Sequence, residues 1–146
     1  MNIAFVELRD LGSLDHFLEL SNRTPVVIFK HSETCGISDR AYRELLKLAE
    51  GKAKFSNDGE DIEIPMAIVT VQTAREVSNE IEIRTGIDHE SPQVLIIANS
   101  KVAWTASHGG VRAEAIENAV GEAVGNKQID VISLDGKIKS ISTRGD

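Results

Sequence analysis

Apolar positions along the chain fall into short blocks separated by polar turns, and the spacing within each block predicts its structure. Residues 5–8 are a brief apolar run that predicts a strand. Gly12-Ser13 then leads into Leu14, Phe17, Leu18 and Leu20 at helical spacing, with Ser13 read as the cap and Thr24-Pro25 as the stop. Residues 25–30 form a continuous β-branched and aromatic run, as expected of a strand covered on both faces. Ala41, Leu45 and Leu48 predict a helix over residues 37–48. The charged, Gly-containing stretch 51–61 reads as a loop. Residues 65–71 are a second buried-type strand, and 74–84 a helix ended by Gly86 in the place a left-handed cap prefers. Two strands, 93–98 and 102–107, are joined by Asn99-Ser100, a pair suited to a tight hairpin turn. Residues 111–124 form a last helix with Ala115, Ala119, Val120 and Ala123 on a small-residue face.

The resulting order, β-α-β-α-β-α-β-β-α, places parallel crossovers first and an antiparallel hairpin after them. It predicts an α/β fold with a central mixed sheet of four to five strands and helices on both faces. Residues 1–126 make up this domain, and 127–146 are an extension. Within the extension, Ile129 to Leu134, Asp135-Gly136 and Lys137-Ile138-Lys139 predict a hairpin with a type I′ turn. Such a hairpin would cover an edge strand, pair with a second chain or be only loosely attached.

Composition narrows the function classes. A chain of 146 residues, 41% apolar and 27% charged, is one ordinary globular domain. Its apolar runs are too short to span a bilayer, and Met1-Asn2-Ile3-Ala4 opens no secretory signal, so no membrane is expected. Sixteen basic against twenty-three acidic residues leave a net charge of −7, which argues against nucleic acid as a partner. A single cysteine, Cys35, allows no intramolecular disulfide and points to a reducing, cytoplasmic setting.

Cys35 stands where the first buried strand gives way to the second helix, in Lys30-His31-Ser32-Glu33-Thr34-Cys35-Gly36-Ile37-Ser38. A lone cysteine is most often a small buried hydrophobe. Here it lies among polar residues, at an element junction, with Ser38 where a Cys-x-x-Cys pair would keep its second thiol. Unpaired N–H groups and the positive end of the helix dipole favour a thiolate at such a place. Lys30, His31 and Arg40 add positive potential, while Glu33 and Asp39 oppose it. A thiolate is the nucleophile of thiol–disulfide exchange.

That segment resembles the signature of the monothiol bacilliredoxins, the YtxJ-like proteins of the bacillithiol system. Ser91-Pro92-Gln93-Val94 and Trp104-Thr105-Ala106-Ser107-His108 are similar to the same family in order and spacing, and the resemblance covers roughly residues 3–124. One departure is Gly36, where the family commonly has proline. It makes Cys-Gly-Ile-Ser similar to the Cys-Gly-Phe-Ser of monothiol glutaredoxins. The resemblance implies a thioredoxin-like fold and an oxidoreductase with Cys35 as nucleophile. Thr34, Ser38 and His31 would be its catalytic neighbours, Ser38 donating a hydrogen bond through its hydroxyl.

The same resemblance implies that Pro92 is cis, beside Cys35, and that the Ser91 backbone pairs with a bound thiol or peptide. Gly36 and Ile37 would offer helix-end N–H groups to the same ligand. At His108-Gly109-Gly110 the glycines would allow close backbone approach, and the following helix N-terminus suits a carboxylate of bacillithiol or glutathione. No bound cofactor is expected; a low-molecular-weight thiol would be the co-substrate, S-thiolated proteins the clients, and a second thiol or a reductase the source of electrons. Two other classes stay open: a carrier of an iron–sulfur cluster shared between two chains, and a redox sensor without turnover. A mononuclear site from His31, Cys35 and His108 has no tight ligand motif behind it. The oligomeric state is left open.

Overall fold

The computed structural model describes residues 5–49, 55–57 and 60–132. Five strands form one mixed sheet in the order β1-β5-β2-β6-β7: β1 is Val6–Glu7, β2 Val26–His31, β5 Met66–Thr70, β6 Gln93–Ala98 and β7 Lys101–Ser107. β1 and β2 pair in parallel with β5, whereas β2–β6 and β6–β7 are antiparallel. The α/β architecture expected from the apolar pattern, a mixed sheet with helices on both faces, is the one observed.

Strand periodicity divides β2 between two cores. Val27 and Phe29 point to the side covered by α2 (Gly36–Ala49) and α4 (Ala113–Ile132), among Ala41, Leu45, Ile116 and Val120. Val26 and Ile28 point to the side covered by α1 (Leu11–Glu19) and α3 (Arg75–Thr85), among Leu14, Phe17, Val77 and Ile81. All four β2 side chains are fully buried, which is why this strand reads as an unbroken apolar run.

Three local expectations are corrected. Asp10, not Ser13, caps α1: its carboxylate accepts the Ser13 N–H at 2.8 Å, and the Ser13 side chain reciprocates as the third helical residue of a capping box. The segment read as a loop over 51–61 contains β3 (Phe55–Asn57) and β4 (Glu60–Ile62), an antiparallel pair. Asp58-Gly59 between them is a hairpin signal masked by the charge around it. Finally, α4 runs to Ile132, so residues 129–132, expected to open a hairpin strand, are helical. No proline interrupts 113–132, and Lys127 and Gln128 are good helix formers. The rest of that expected hairpin lies outside the described residues.

The remaining turns follow their chemistry. Gly86 caps α3 at φ 74°, and Asn99 and Ser100 turn β6 into β7 at φ 54° and 64°.

Candidate active site

β2 ends at His31, four residues reverse the chain, and α2 begins at Gly36. Cys35 immediately precedes the helix, and its carbonyl accepts the Asp39 N–H at 3.0 Å, so it holds the N-cap position. Its own N–H donates to Ser32 O at 3.4 Å. The thiol is half-buried.

Ser38 is fully buried beneath this turn. Its Oγ accepts the Ser32 N–H at 2.9 Å and lies 2.8 Å from His31 Nδ1. The Ser38 hydroxyl thus holds the loop and meets the imidazole. His31 also stacks on Tyr42, ring centroids 5.3 Å apart, and tilts against Phe29. Burial holds His31 below the ordinary imidazole value, while Asp39 and Glu33 pull it upward.

Gln72, just past β5, ties the loop from outside. Its Oε1 accepts the Glu33 N–H at 3.1 Å, and its Nε2 donates to Ser32 Oγ at 2.9 Å and Thr34 Oγ1 at 3.4 Å. Sequence reading missed Gln72 because it stands about forty residues away from the loop it braces, and only the parallel pairing of β2 with β5 brings the two together.

The Ser91–Pro92 peptide is cis. Lys30 pairs with Gln93 across β2 and β6, so Pro92 is carried toward the end of β2 at which the Cys35 turn begins. Pro92 O accepts the His108 N–H at 2.9 Å, joining Ser91-Pro92 to the His108–Gly110 turn. His108 adopts φ 52°, and its Nδ1 lies 3.4 Å from Glu90 Oε1. A Cβ at Gly36 or Gly109 would meet nothing within 4 Å, so both backbones are open. At Gly110 it would approach the Ala106 Cβ at 3.6 Å, an ordinary contact.

The helix N-terminus after Gly110, expected to suit a ligand carboxylate, gives one of its N–H groups to the protein's own Glu44: Glu44 Oε1 accepts the Ala113 N–H at 2.8 Å. That bond, helped by Lys47, holds the Glu44 carboxyl below its ordinary value. Nor do His31, Cys35 and His108 form a ligand set; among the described residues no three His, Cys, Asp or Glu side chains gather to hold a metal ion.

A sulfur at the mouth of a helix, a cis-proline loop and a five-stranded mixed sheet invite comparison with known redox proteins. The model of the family described as monothiol bacilliredoxin BrxC matches residues 6–116. The chain belongs to the monothiol bacilliredoxin family.

Solved structures agree. An oxidoreductase with a thioredoxin fold is 26% identical, with a TM-score of 0.66 over 80% of this chain and 93% of its own. Reduced thioredoxin pre-protein from Schistosoma mansoni is 16% identical, with a TM-score of 0.62 over 84% of this chain and 100% of its own. Thioredoxin f from spinach chloroplast is 17% identical, with a TM-score of 0.60 over 84% and 98%. These last two bear on the fold alone. The bacilliredoxin is a thioredoxin-fold thiol oxidoreductase with one cysteine, and no helix among its described residues is long and apolar enough to cross a membrane.

Proposed function

We propose that this bacilliredoxin removes a low-molecular-weight thiol, bacillithiol by family membership, from protein mixed disulfides. The observation that carries the reading is Cys35 itself, half-buried at the N-cap of α2 with no second cysteine in the chain. The Cys35 thiolate attacks the small-thiol sulfur of a client mixed disulfide. That S–S bond breaks, the client leaves as a thiolate that takes a proton from water, and the small thiol becomes disulfide-bonded to Cys35. A second small-thiol thiolate attacks the adducted sulfur, releasing a symmetric disulfide and regenerating Cys35. A separate reductase then supplies the two electrons that reduce this product. A reducing cytoplasm suits such a partly exposed single thiol.

In this scheme the N-cap position presents the Cys35 sulfur at the mouth of α2, where it meets the incoming disulfide. His31, kept neutral by burial, holds Ser38 and orders the turn. The backbone of Ser91 and the N–H groups of Gly36 and Ile37 would align the incoming disulfide.

The test is whole-protein mass spectrometry after incubation with bacillithiol disulfide and with glutathione disulfide, followed by release of client thiol from an S-bacillithiolated protein. A single adduct on Cys35 and client release that Cys35→Ala abolishes support the reading. No adduct, or release unaffected by Cys35→Ala, overturns it.

A further inference from the structure

A cleft of about 470 Å³ opens between the first turns of α2 and the junction of the His108–Gly110 turn with α4. Its size falls within the small-molecule range, and it starts two residues from Cys35. Ile37, 53% exposed, offers it an apolar contact, and Gly109 an open stretch of backbone.

The charge lining this cleft has the opposite sign to that of the chain. Arg40, on α2, and Arg112, the N-cap of α4, both reach it and are exposed. Neither makes an ion pair among the described residues. The carboxylate in the cleft lining, Glu44, feels the field of Arg112 but accepts its hydrogen bonds from other donors. These are Ala113 N–H and Lys47 Nζ, each at 2.8 Å. Asp39 is paired with Arg43 at 3.1 Å. Two guanidinium groups that close no salt bridge among the described residues therefore flank an apolar contact beside the reactive sulfur, in a protein of net charge −7. Guanidinium forks match carboxylates in geometry.

Resting on the small-thiol reading of Cys35, we infer that Arg40 and Arg112 read the carboxylates of the small thiol and make the site selective for anionic thiols over neutral or cationic ones. They stand beside the α4 N-terminus, where Glu44 already accepts the Ala113 N–H. The client side of the disulfide needs no such charge, so selectivity resides in the half that Cys35 captures.

The experiment is the rate of adduct formation on Cys35 of the full chain with three symmetric disulfides: glutathione disulfide (anionic), 2-hydroxyethyl disulfide (neutral) and cystamine (cationic). Each rate is divided by that of the same disulfide with free cysteine, removing intrinsic reactivity. The wild type is expected to rank them anionic, neutral, cationic, and added salt compresses the ranking. Arg40→Gln with Arg112→Gln lowers the anionic-to-cationic rate ratio by about tenfold, the sum of two exposed charge contacts. Arg23→Gln removes one positive charge at the other end of β2 and keeps the wild-type ranking. An unranked wild type, or a ranking that survives the double substitution, overturns the inference while leaving the exchange chemistry standing. Failure of Cys35 to react with any of the three removes both.

Discussion

Buried Lys30 and exposed His89 share a hydrogen bond: Lys30 Nζ lies 3.2 Å from His89 Nδ1 and 3.0 Å from the carbonyl oxygen of Ser78. An ammonium can only donate, so His89 accepts through Nδ1 and carries its proton on Nε2. His89 is held a second time through its backbone N–H, which donates to Glu82 Oε2 at 3.0 Å. The segment leading to Ser91-Pro92 is thus pinned from β2 and from α3.

Burial pushes Lys30 down to about 8, against the pull of Glu82. Between that value and the ordinary 10.5, the unfolded chain holds a proton that the folded chain has lost. Stability should therefore rise with pH across this window. Lys30→Met, which keeps the buried volume without the charge, should flatten that rise and leave neutral-pH stability unchanged or higher. Urea midpoints taken across the window check both expectations.

Ser38→Ala leaves the Ser32 N–H and His31 Nδ1 without the oxygen they share. An unsatisfied buried donor predicts a loss of about 1–2 kcal/mol, read from urea unfolding. Slower exchange at Cys35 should accompany it, because the turn that presents the sulfur loses its inner anchor.

Gln72→Ala removes the outer brace from Ser32, Glu33 and Thr34. The Glu33 amide should exchange its hydrogen about tenfold faster, the consequence of losing one net hydrogen bond. Global stability should change less than for Ser38→Ala, since Glu33 is exposed. Site-resolved amide exchange separates the two effects.

Glu44→Gln keeps an oxygen for the Ala113 N–H but deletes the carboxylate among the cleft residues. Adduct formation with an anionic disulfide should rise severalfold at low salt, with less change for a neutral one. Glu44→Ala instead exposes the α4 N-terminus and should lower the melting temperature. The carboxylate form of Glu44 is favoured in the fold, so its contribution is full above the ordinary value of 4.5 and is lost as pH falls through the lower folded one.

Most of the sheet was legible because β2, β5 and β6 are buried on both faces and read as unbroken apolar runs. Cys35 was legible because its junction is local, defined by the strand before it and the helix after it. The bracing of that junction was not. Gln72 reaches the loop through strand pairing, and Tyr42 reaches His31 at the end of β2 through helix packing, neither of which leaves a mark in the residues flanking Cys35. Lys30 reads from the sequence as a source of positive potential near Cys35, yet it is wholly buried, with partners from α3 and the loop after it. Nothing in the residues around Glu44 marks it as the acceptor for the first N–H of α4, because α4 starts about seventy residues further on.

With one thiol in the chain and a serine at the fourth position of the motif, Cys35 has no internal partner to close upon. When it exchanges with a small disulfide, one molecule is consumed and one thiol is released for each adduct formed. The equilibrium constant of that step carries no units of concentration. The adducted fraction then follows the ratio of disulfide to thiol and is indifferent to dilution of the pool. A dithiol that closed on itself would release two thiols, and its oxidised fraction would depend on how much thiol is present as well. The single sulfur thus reports the composition of a thiol pool, not its size.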